Sequence, residues 1–400
     1  MIIGLIGKAN VGKSTFFNAA TELAVPAANY PFTTIDPNVG VAYARVKCVC
    51  REFGVQDNPV HSMCIDGNRF IPIKLVDVAG LVPGAHAGKG LGNKFLDDAR
   101  QADALIHIVD ASGTTDSQGR PVPAGTGDPL FDIEFVEEEF DLWLSALVGR
   151  DWGKNAREAE GQGQKLEQML AKRLSGLGII ESVIASAIHA SGLAMKKPVS
   201  WTGEDILAFC KILRMRAKPF VVAANKADLP FAETNIEKMK ASGIEVVPCA
   251  SEAEALLRKA SRKGILHYLP GDSSFGTKSN IPLNAQQQHA LEIVRLLMEK
   301  YGSTGVQEAI NIACFKLLHM IAVYPVEDEF KLADKKGNVL PDVRMLPEDS
   351  TAKDLAGTVH ADLAKGFLYA VDARTKQRIG ADHKLKNRDV VKIVSATSRG

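Results

Sequence analysis

Gly7-Lys8-Ala9-Asn10-Val11-Gly12-Lys13-Ser14-Thr15 is the stretch that decides how this 400-residue chain is read. It contains G-x-x-x-x-G-K-S, directly after the apolar run Ile2 to Ile6 and before the helix-like stretch Thr15 to Glu22. The order is therefore strand, loop, helix. A loop that cradles phosphates needs glycines for tight bends at positive φ, backbone N–H groups aimed at the β-phosphate, a lysine for the β and γ oxygens, and a hydroxyl for Mg2+. Gly7, Gly12, Lys13 and Ser14 meet those needs, and Lys8, Ala9, Asn10, Val11 and Thr15 complete the cradle. A bare glycine turn between strand and helix would look similar in isolation, so the weight falls on the segments further along the chain.

Those downstream segments come in a fixed order. Phe70 to Val76 predicts a strand that delivers Asp77 at its C-terminal end, where open parallel sheets bind ligands and where an acid can hold Mg2+ through water. Gly80 can then offer its N–H to a γ-phosphate. Between the loop and Asp77 lies Asn29-Tyr30-Pro31-Phe32-Thr33-Thr34, in which Thr34 is the candidate for a switch threonine that ligates Mg2+ and senses the γ-phosphate. Ala104 to Val109 and Phe220 to Ala224 predict two further buried strands, the second running into Asn225-Lys226-Ala227-Asp228. An aspartate carboxylate accepts from both N1–H and the 2-amino group of guanine. Adenine has a donor in neither place, so a buried Asp228 would be left unpaired. The nucleotide expected is GTP. Glu245 to Val247 predicts the last strand, and Ala250 and Ser251 after it stand where a backbone N–H contacts the guanine O6.

Composition sets the bounds. With 46% hydrophobic and 24% charged residues the chain is long enough for two or three domains with cores of their own. The opening Met1-Ile2-Ile3-Gly4-Leu5-Ile6 is too short for a signal sequence and no apolar run reaches membrane-spanning length, so no membrane partner and a cytoplasmic location are expected. Six cysteines without a C-x-x-C pair fit a reducing compartment. A net charge of +1 leaves nucleic acid to local patches. Leu363 to Arg399 holds one, nine Lys or Arg against three Asp.

The interval from Gly12 to Asn225 is far longer than a minimal nucleotide domain requires, which predicts an insert. Phe135/Val136, Phe140, Trp143/Leu144 and Leu147 recur at helical spacing up to Gly149; Leu166, Met169, Leu170 and Leu174 form a second stripe, and Ile180, Val183, Ile184 and Ile188 a third. Thr202-Gly203-Glu204-Asp205 forms a capping box before a fourth helix over Ile206 to Leu213. Glu137-Glu138-Glu139 is expected on a solvated face. Glu252 to Tyr268 and Gln286 to Lys300 are expected as helices. From about Leu318, strands over Met320 to Val326, Val339 to Leu346, Phe367 to Val371 and Val390 to Val394, with a helix capped at Thr351-Ala352-Lys353-Asp354 and ended by Gly366, predict a β-grasp order.

Together G-K-A-N-V-G-K-S-T, Y-P-F-T-T, D-V-A-G-L-V-P-G-A-H-A-G-K-G-L-G-N and N-K-A-D resemble the Obg family of GTPases, in particular its YchF or Obg-like ATPase branch in the archaeal form. The resemblance implies an α/β fold. A G domain with a mostly parallel sheet (1–129 and 217–317) would be interrupted by a helical, coiled-coil-like insert (130–216) and followed by a TGS domain (318–400). It also implies binding of ribosomal subunits, rRNA or tRNA through the TGS domain and the insert, with the basic stretch at 363–399 as a physical basis for phosphate contact. A monomer is expected. Better-known YchF members resemble ATPases because their N-K-x-D lacks the aspartate, whereas Asp228 is present here, so their ATP preference is not carried over. Leu81 stands after the switch glycine where small GTPases carry an amide that aligns water; the resemblance makes a hydrophobic residue expected there. Candidates for compensating it are Asn10, whose side-chain carbonyl could help hold K+ against the phosphates, and His86 in a glycine-rich stretch able to swing toward the nucleotide. Slow intrinsic turnover is the consequence.

Cys48, Cys50, His61 and Cys64 place four soft ligands around a hairpin expected near Asp66-Gly67-Asn68. The C-x-C spacing is poor for zinc, and redox-sensitive or half-buried strand thiols are the expectation.

Overall fold

The computed structural model describes residues 1–22, 38–78, 101–278 and 282–396. Two compact units emerge, one built from 1–22, 36–40 and 74–309, the other from 23–35, 41–73 and 310–400. They differ from the expected domains in that 41–73 cluster with the C-terminal segment.

The first unit is organised on a parallel sheet. Strands β1 (Ile2–Ile6), β2 (Val39–Lys47), β3 (Met63–Ile65), β4 (Asn68–Asp77), β5 (Ala104–Asp110), β6 (Phe220–Asn225) and β7 (Val246–Pro248) occur in chain order, and within this unit the neighbours run β4-β1-β5-β6-β7. Every one of these pairs is parallel: Ile2 faces Lys74, Gly4 faces Leu105, Ile108 faces Ala223 and Ala223 faces Val247. All of β5 is buried, as a strand covered on both faces must be, which is why it is apolar but for His107 and the terminal Asp110. Helix α1 (Lys13–Thr21) comes after the loop that leaves β1, with Gly12 as its left-handed N-cap at φ 92°.

Between β5 and β6 stand five helices: α3 (Pro129–Gly149), α4 (Trp152–Gly161), α5 (Leu166–Arg173), α6 (Glu181–Ala190) and α7 (Gly203–Ala217), numbered after α2 (Cys50–Phe53) of the second unit. Asp128 caps α3 by accepting from the N–H groups of Leu130 and Phe131, and Pro129 sits at its first position, where the missing N–H costs nothing. Leu144, Val148, Leu170, Ile184, Phe209 and Leu213 share one apolar core, while Val136 and Phe140 on α3 pack with Ile6 and Leu105 of the sheet. The insert is a bundle of short helices on one long one. Helix α4 is an addition to the expected set, because Ala156 and Ala159 make a weak stripe. Ile180 is exposed, so the third stripe begins at Val183. The acidic triplet is not a uniformly solvated face: Glu137 pairs with Arg214 at 3.1 Å and Glu139 is buried, leaving Glu138 exposed.

Helices α8 (Ala232–Ala241), α9 (Ser251–Arg262), α10 (Ala285–Tyr301) and α11 (Val306–Asn311) complete the unit. The helix expected to reach Tyr268 stops at Arg262, and Leu266–His267 instead forms a short strand, β8, with β9 (Gly276–Thr277). No helix among the described residues is long and apolar enough to cross a membrane.

In the second unit β2 lies beside β4, and β3 pairs antiparallel to β4 with Met63 facing Phe70. A separate five-stranded sheet has the order β11-β10-β14-β12-β13, where β10 is Met320–Val326, β11 Arg344–Pro347, β12 Phe367–Asp372, β13 Arg378–Ile379 and β14 Val390–Ser395. Parallel pairing of β10 with β14 at the centre and antiparallel flanks give the β-grasp arrangement. Helix α12 (Ala352–Val359) buries Ala352 and Leu355 against Ile321, Leu346 and Val391. The second strand begins at Arg344, later than Val339, because Val339 and Leu340 leave the sheet to bond elsewhere. The expected single helix breaks at His360, whose extended backbone (φ −161°) restarts the chain as α13 (Ala361–Lys365) with its ring accepting from Asp362 N.

Candidate functional site

The loop after β1 has the shape its glycines require. At Gly7 (φ 149°) a Cβ would lie 2.4 Å from the Ile108 carbonyl oxygen, and at Gly12 a Cβ would lie 2.2 Å from the Asn225 amide nitrogen. Neither position admits another residue without moving its neighbour. At the start of α1 the Lys13 ammonium is paired with one oxygen of Asp77, and the Ser14 hydroxyl lies 3.4 Å from the other. A lysine, a hydroxyl and a carboxylate from the end of β4 thus converge on one spot. Asp77 is itself placed by its own N–H, which donates to Asn38 O at 2.8 Å.

Asn225 is the node of the site. Its Nδ2 donates to Val11 O at 2.8 Å, and its Oδ1 accepts from Ser251 N at 3.0 Å and Ser251 Oγ at 2.8 Å. One buried amide therefore ties the glycine loop, the end of β6 and the segment after β7. The amides assigned to the guanine O6 are engaged inside the protein: Ala250 N donates to Thr304 O at 2.9 Å and Ser251 N to Asn225.

A second network, which no motif marks in the sequence, holds the loop from its other side. Lys8 is buried, with its ammonium 2.7 Å from Asp132 on α3 and donating to Thr115 O at 3.1 Å. Asn10, in the left-handed region at φ 62°, donates through Nδ2 to Gly119 O at 2.9 Å. Lys226 donates to Asp110 at 2.9 Å and Thr114 Oγ1 at 3.0 Å, and Asp110 also accepts from Ser112 and Thr115. Burial alone would raise the Asp110 carboxyl, but the bonds from Ser112, Lys226 and Thr114 outweigh it and hold the group below its ordinary value. At Asp132 the balance is reversed: burial raises the carboxyl and Lys8 only partly offsets it. The signal that could have found Asp110 is its place at the end of a fully buried strand, just before Ser112, Thr114 and Thr115.

Asp228 is exposed, beside a pocket of about 410 Å³ lined by Ala227, Leu229, Phe231, Leu296 and Tyr301. Thr34, Gly80, Leu81 and His86 lie outside the described residues. Among the cysteines, Cys48, Cys50 and Cys64 do come together, but His61 is exposed with its Nδ1 2.7 Å from Asp342, and the group that joins the thiols is Asp57. The basic stretch is partly neutralised: Arg374 and Arg388 pair with Glu52, Lys384 with Asp349 and Lys392 with Glu329.

Three family models match the chain: a 50S ribosome-binding GTPase at residues 2–124, an Obg-like GTPase YGR210-like, G4 motif-containing domain at 223–328, and a TGS domain at 335–395. A GTP-binding protein of Methanocaldococcus jannaschii is 49% identical over 397 residues, 99% of either chain. The chain belongs to the Obg/YchF family of P-loop GTPases. A solved structure in the same family, a GTP-binding protein from Pyrococcus horikoshii, is 41% identical with a TM-score of 0.80, covering 99% of this chain and 100% of that one. The ribosome-binding ATPase YchF of Bacillus subtilis is 26% identical over 377 residues, 92% of this chain and 87% of its own. The GTPase model spans the loop at 7–15, and the TGS model spans β11 to β14 of the C-terminal sheet.

Proposed function

We propose that this member of the Obg/YchF family is a Mg2+-dependent GTPase that binds ribosomal particles and turns over slowly on its own. The observation that carries the nucleotide reading is Asn225, which holds the P-loop and the base-side loop in one frame while presenting Lys226 and Asp228 beside it. Ser14 and Asp77 fit Mg2+, since both offer hard oxygens and stand 3.4 Å apart at the phosphate end. They would hold the ion together with Thr34, and Mg2+ bound there neutralises charge that builds on the phosphate oxygens. The chain's own work is to orient: the P-loop amides and Lys13 grip the phosphates, and the Gly80 N–H is assigned to the γ-phosphate. Asn10 is anchored through Nδ2, which fixes its Oδ1 as the atom assigned to K+. His86 remains a second candidate for assisting water. The residues from Gly7 to Thr15, with Asn225, Lys226, Asp228, Ala250 and Ser251, form the assigned nucleotide site, and the domain division 1–129 with 217–317, 130–216 and 318–400 accompanies that assignment.

GTP over ATP rests on Asp228. Because that carboxylate is exposed, leaving it unpaired costs less than it would in a dry pocket, so discrimination depends on how far the bound base covers it. An ATPase is the second reading, favoured by this exposure and by the name of the Bacillus subtilis relative. Competition of GTP against ATP for the full chain decides: a preference for GTP of tenfold or more that disappears in Asp228→Asn, with XTP binding gained, is the expected result. Equal affinity for both purines defeats it. Ribosomal engagement rests on the family, since the pairing of Arg374, Arg388, Lys384 and Lys392 weakens the charge argument. Sedimentation with ribosomal subunits in GTP and GDP, at two salt concentrations, tests it.

A further inference from the structure

Three thiols and one carboxylate meet in the second unit. Cys48 and Cys50 come from the turn that enters α2, Asp57 from the segment after it, and Cys64 from β3, and one ligand atom from each lies within 4.8 Å of all the others. The separations suit one ion. Four ligands arranged tetrahedrally at Zn–S distances of about 2.3 Å stand roughly 3.8 Å apart; the Cys50 and Cys64 sulfurs are 3.7 Å apart, and Cys48 Sγ is 3.1 Å from Asp57 Oδ2. So close a set leaves no room for a multi-iron cluster.

The surroundings are built to keep these atoms where they are. Cys48 N donates to Gly67 O at 2.9 Å, clamping the C-x-C turn to the β3–β4 hairpin. Arg69 is 0% exposed and donates to Asp57 Oδ2 at 2.8 Å while reaching Cys48 Sγ at 3.4 Å; its Nη1 also donates to Ser62 Oγ, and both Nη groups to Leu340 O. Metal ligands are commonly held by such an outer group. Charge agrees as well, because three thiolates and a carboxylate around a dication carry about two net negative charges, and Arg69 lowers that to about one. Soft sulfur ligands select zinc over Mg2+ or Ca2+.

We propose that Cys48, Cys50, Asp57 and Cys64 form a tetrahedral zinc site that staples β2, α2 and the β3–β4 hairpin. The ion replaces the thiol protons on binding, so affinity falls as pH is lowered. His61, one of the four ligands the sequence suggested, is not part of it.

The test uses the full-length chain purified under reducing conditions without chelator. Mass-spectrometric metal analysis is expected to give one zinc per chain, and Co2+ replacement to give thiolate-to-cobalt charge-transfer and tetrahedral d–d absorption. His61→Ala is expected to keep full zinc, whereas Asp57→Ala and Cys64→Ser lower zinc affinity at least tenfold. The cobalt spectrum of the unaltered chain needs no variant to fold. Less than one tenth of an equivalent of zinc after equilibration with reduced protein, a Cys50–Cys64 disulfide in the isolated chain, or metal loss in His61→Ala but not in Asp57→Ala would each overturn the site.

Discussion

Asn225 and Arg69 are both buried polar side chains that join three stretches of chain, yet only one of them could be read from the sequence. Asn225 binds the P-loop, its own strand and Ser251 through neutral hydrogen bonds. Arg69 binds Ser62, Asp57, Cys48 and Leu340 with a full charge. The first sits in N-K-x-D, the motif proposed here to face the nucleotide base. The second opens the strand run R-F-I-P-I-K-L-V, and no spacing in the sequence marks the groups it holds. A node with fixed local spacing can be read as a motif, whereas one made by long-range packing, such as Arg69, leaves none.

The two should also fail differently. Arg69→Leu strands a buried carboxylate, and about 3–5 kcal/mol of stability should be lost in urea unfolding. Adding Asp57→Leu would recover much of that if the two groups formed only an ion pair, since apolar groups of like volume often replace such a pair at little cost. With Asp57 also a ligand of the proposed zinc, no such recovery is expected in the zinc-loaded chain, and full recovery there would count against the site.

Asn225→Ala is expected to cost less stability, about 1–3 kcal/mol, since it leaves the Val11 carbonyl and the Ser251 amide without their neutral partner. Its nucleotide affinity should fall tenfold or more, measured by titration with a fluorescent guanine nucleotide. Should this variant unfold more easily than Arg69→Leu, the distinction between functional and structural nodes would collapse.

Legibility in the sequence divides along the same line. The strands of the parallel sheet were legible because burial on both faces leaves mainly apolar runs, and β5 is such a run from Ala104 to Val109, broken only by His107. The glycine loop, Asp77 and Asn225 stand out in the sequence because the phosphate and base chemistry proposed for them would dictate residue type and spacing. Capping boxes at Thr202 and Thr351 were legible as local hydrogen-bond patterns and occur as expected. The acidic triplet is less solvated than its letters suggest because a helix face takes partners from far along the chain: Arg214 of α7 pairs with Glu137. Asp57 was missed among the cysteines for a related reason: a carboxylate between Gln56 and Asn58 has nothing local to mark it. The break at His360 depends on one extended residue that helical periodicity spans without notice.

Asp110 and Asp132 sharpen the comparison within the first unit, since they respond to pH with opposite signs. The folded Asp110 carboxyl lies below its ordinary value, so it contributes stability above its unfolded pKa that is lost as pH falls through the folded one. The folded Asp132 carboxyl lies above its ordinary value, so stability declines as pH rises from the unfolded pKa to the folded one. Denaturation midpoints between pH 7 and about 3 should lose less on acidification in Asp110→Asn than in the unaltered chain, and more in Asp132→Asn. Parallel curves for all three proteins would contradict the assigned environments.

The smallest effect tests a node made of purely local bonds. Thr351 Oγ1 accepts from Asp354 N at 3.2 Å, while Asp354 accepts from Thr351 N at 2.8 Å. Thr351→Ala removes one acceptor at the start of an eight-residue helix and should cost about 1 kcal/mol, with Thr351→Ser restoring most of it. The same change at Thr202, which caps a fifteen-residue helix in the other unit, should cost a similar amount, because capping depends on the first turn rather than on helix length. If the two units unfold in separate transitions, each variant should shift only its own. A single shared shift would show that they unfold together, and that Arg69 and Asn225 report on one cooperative structure.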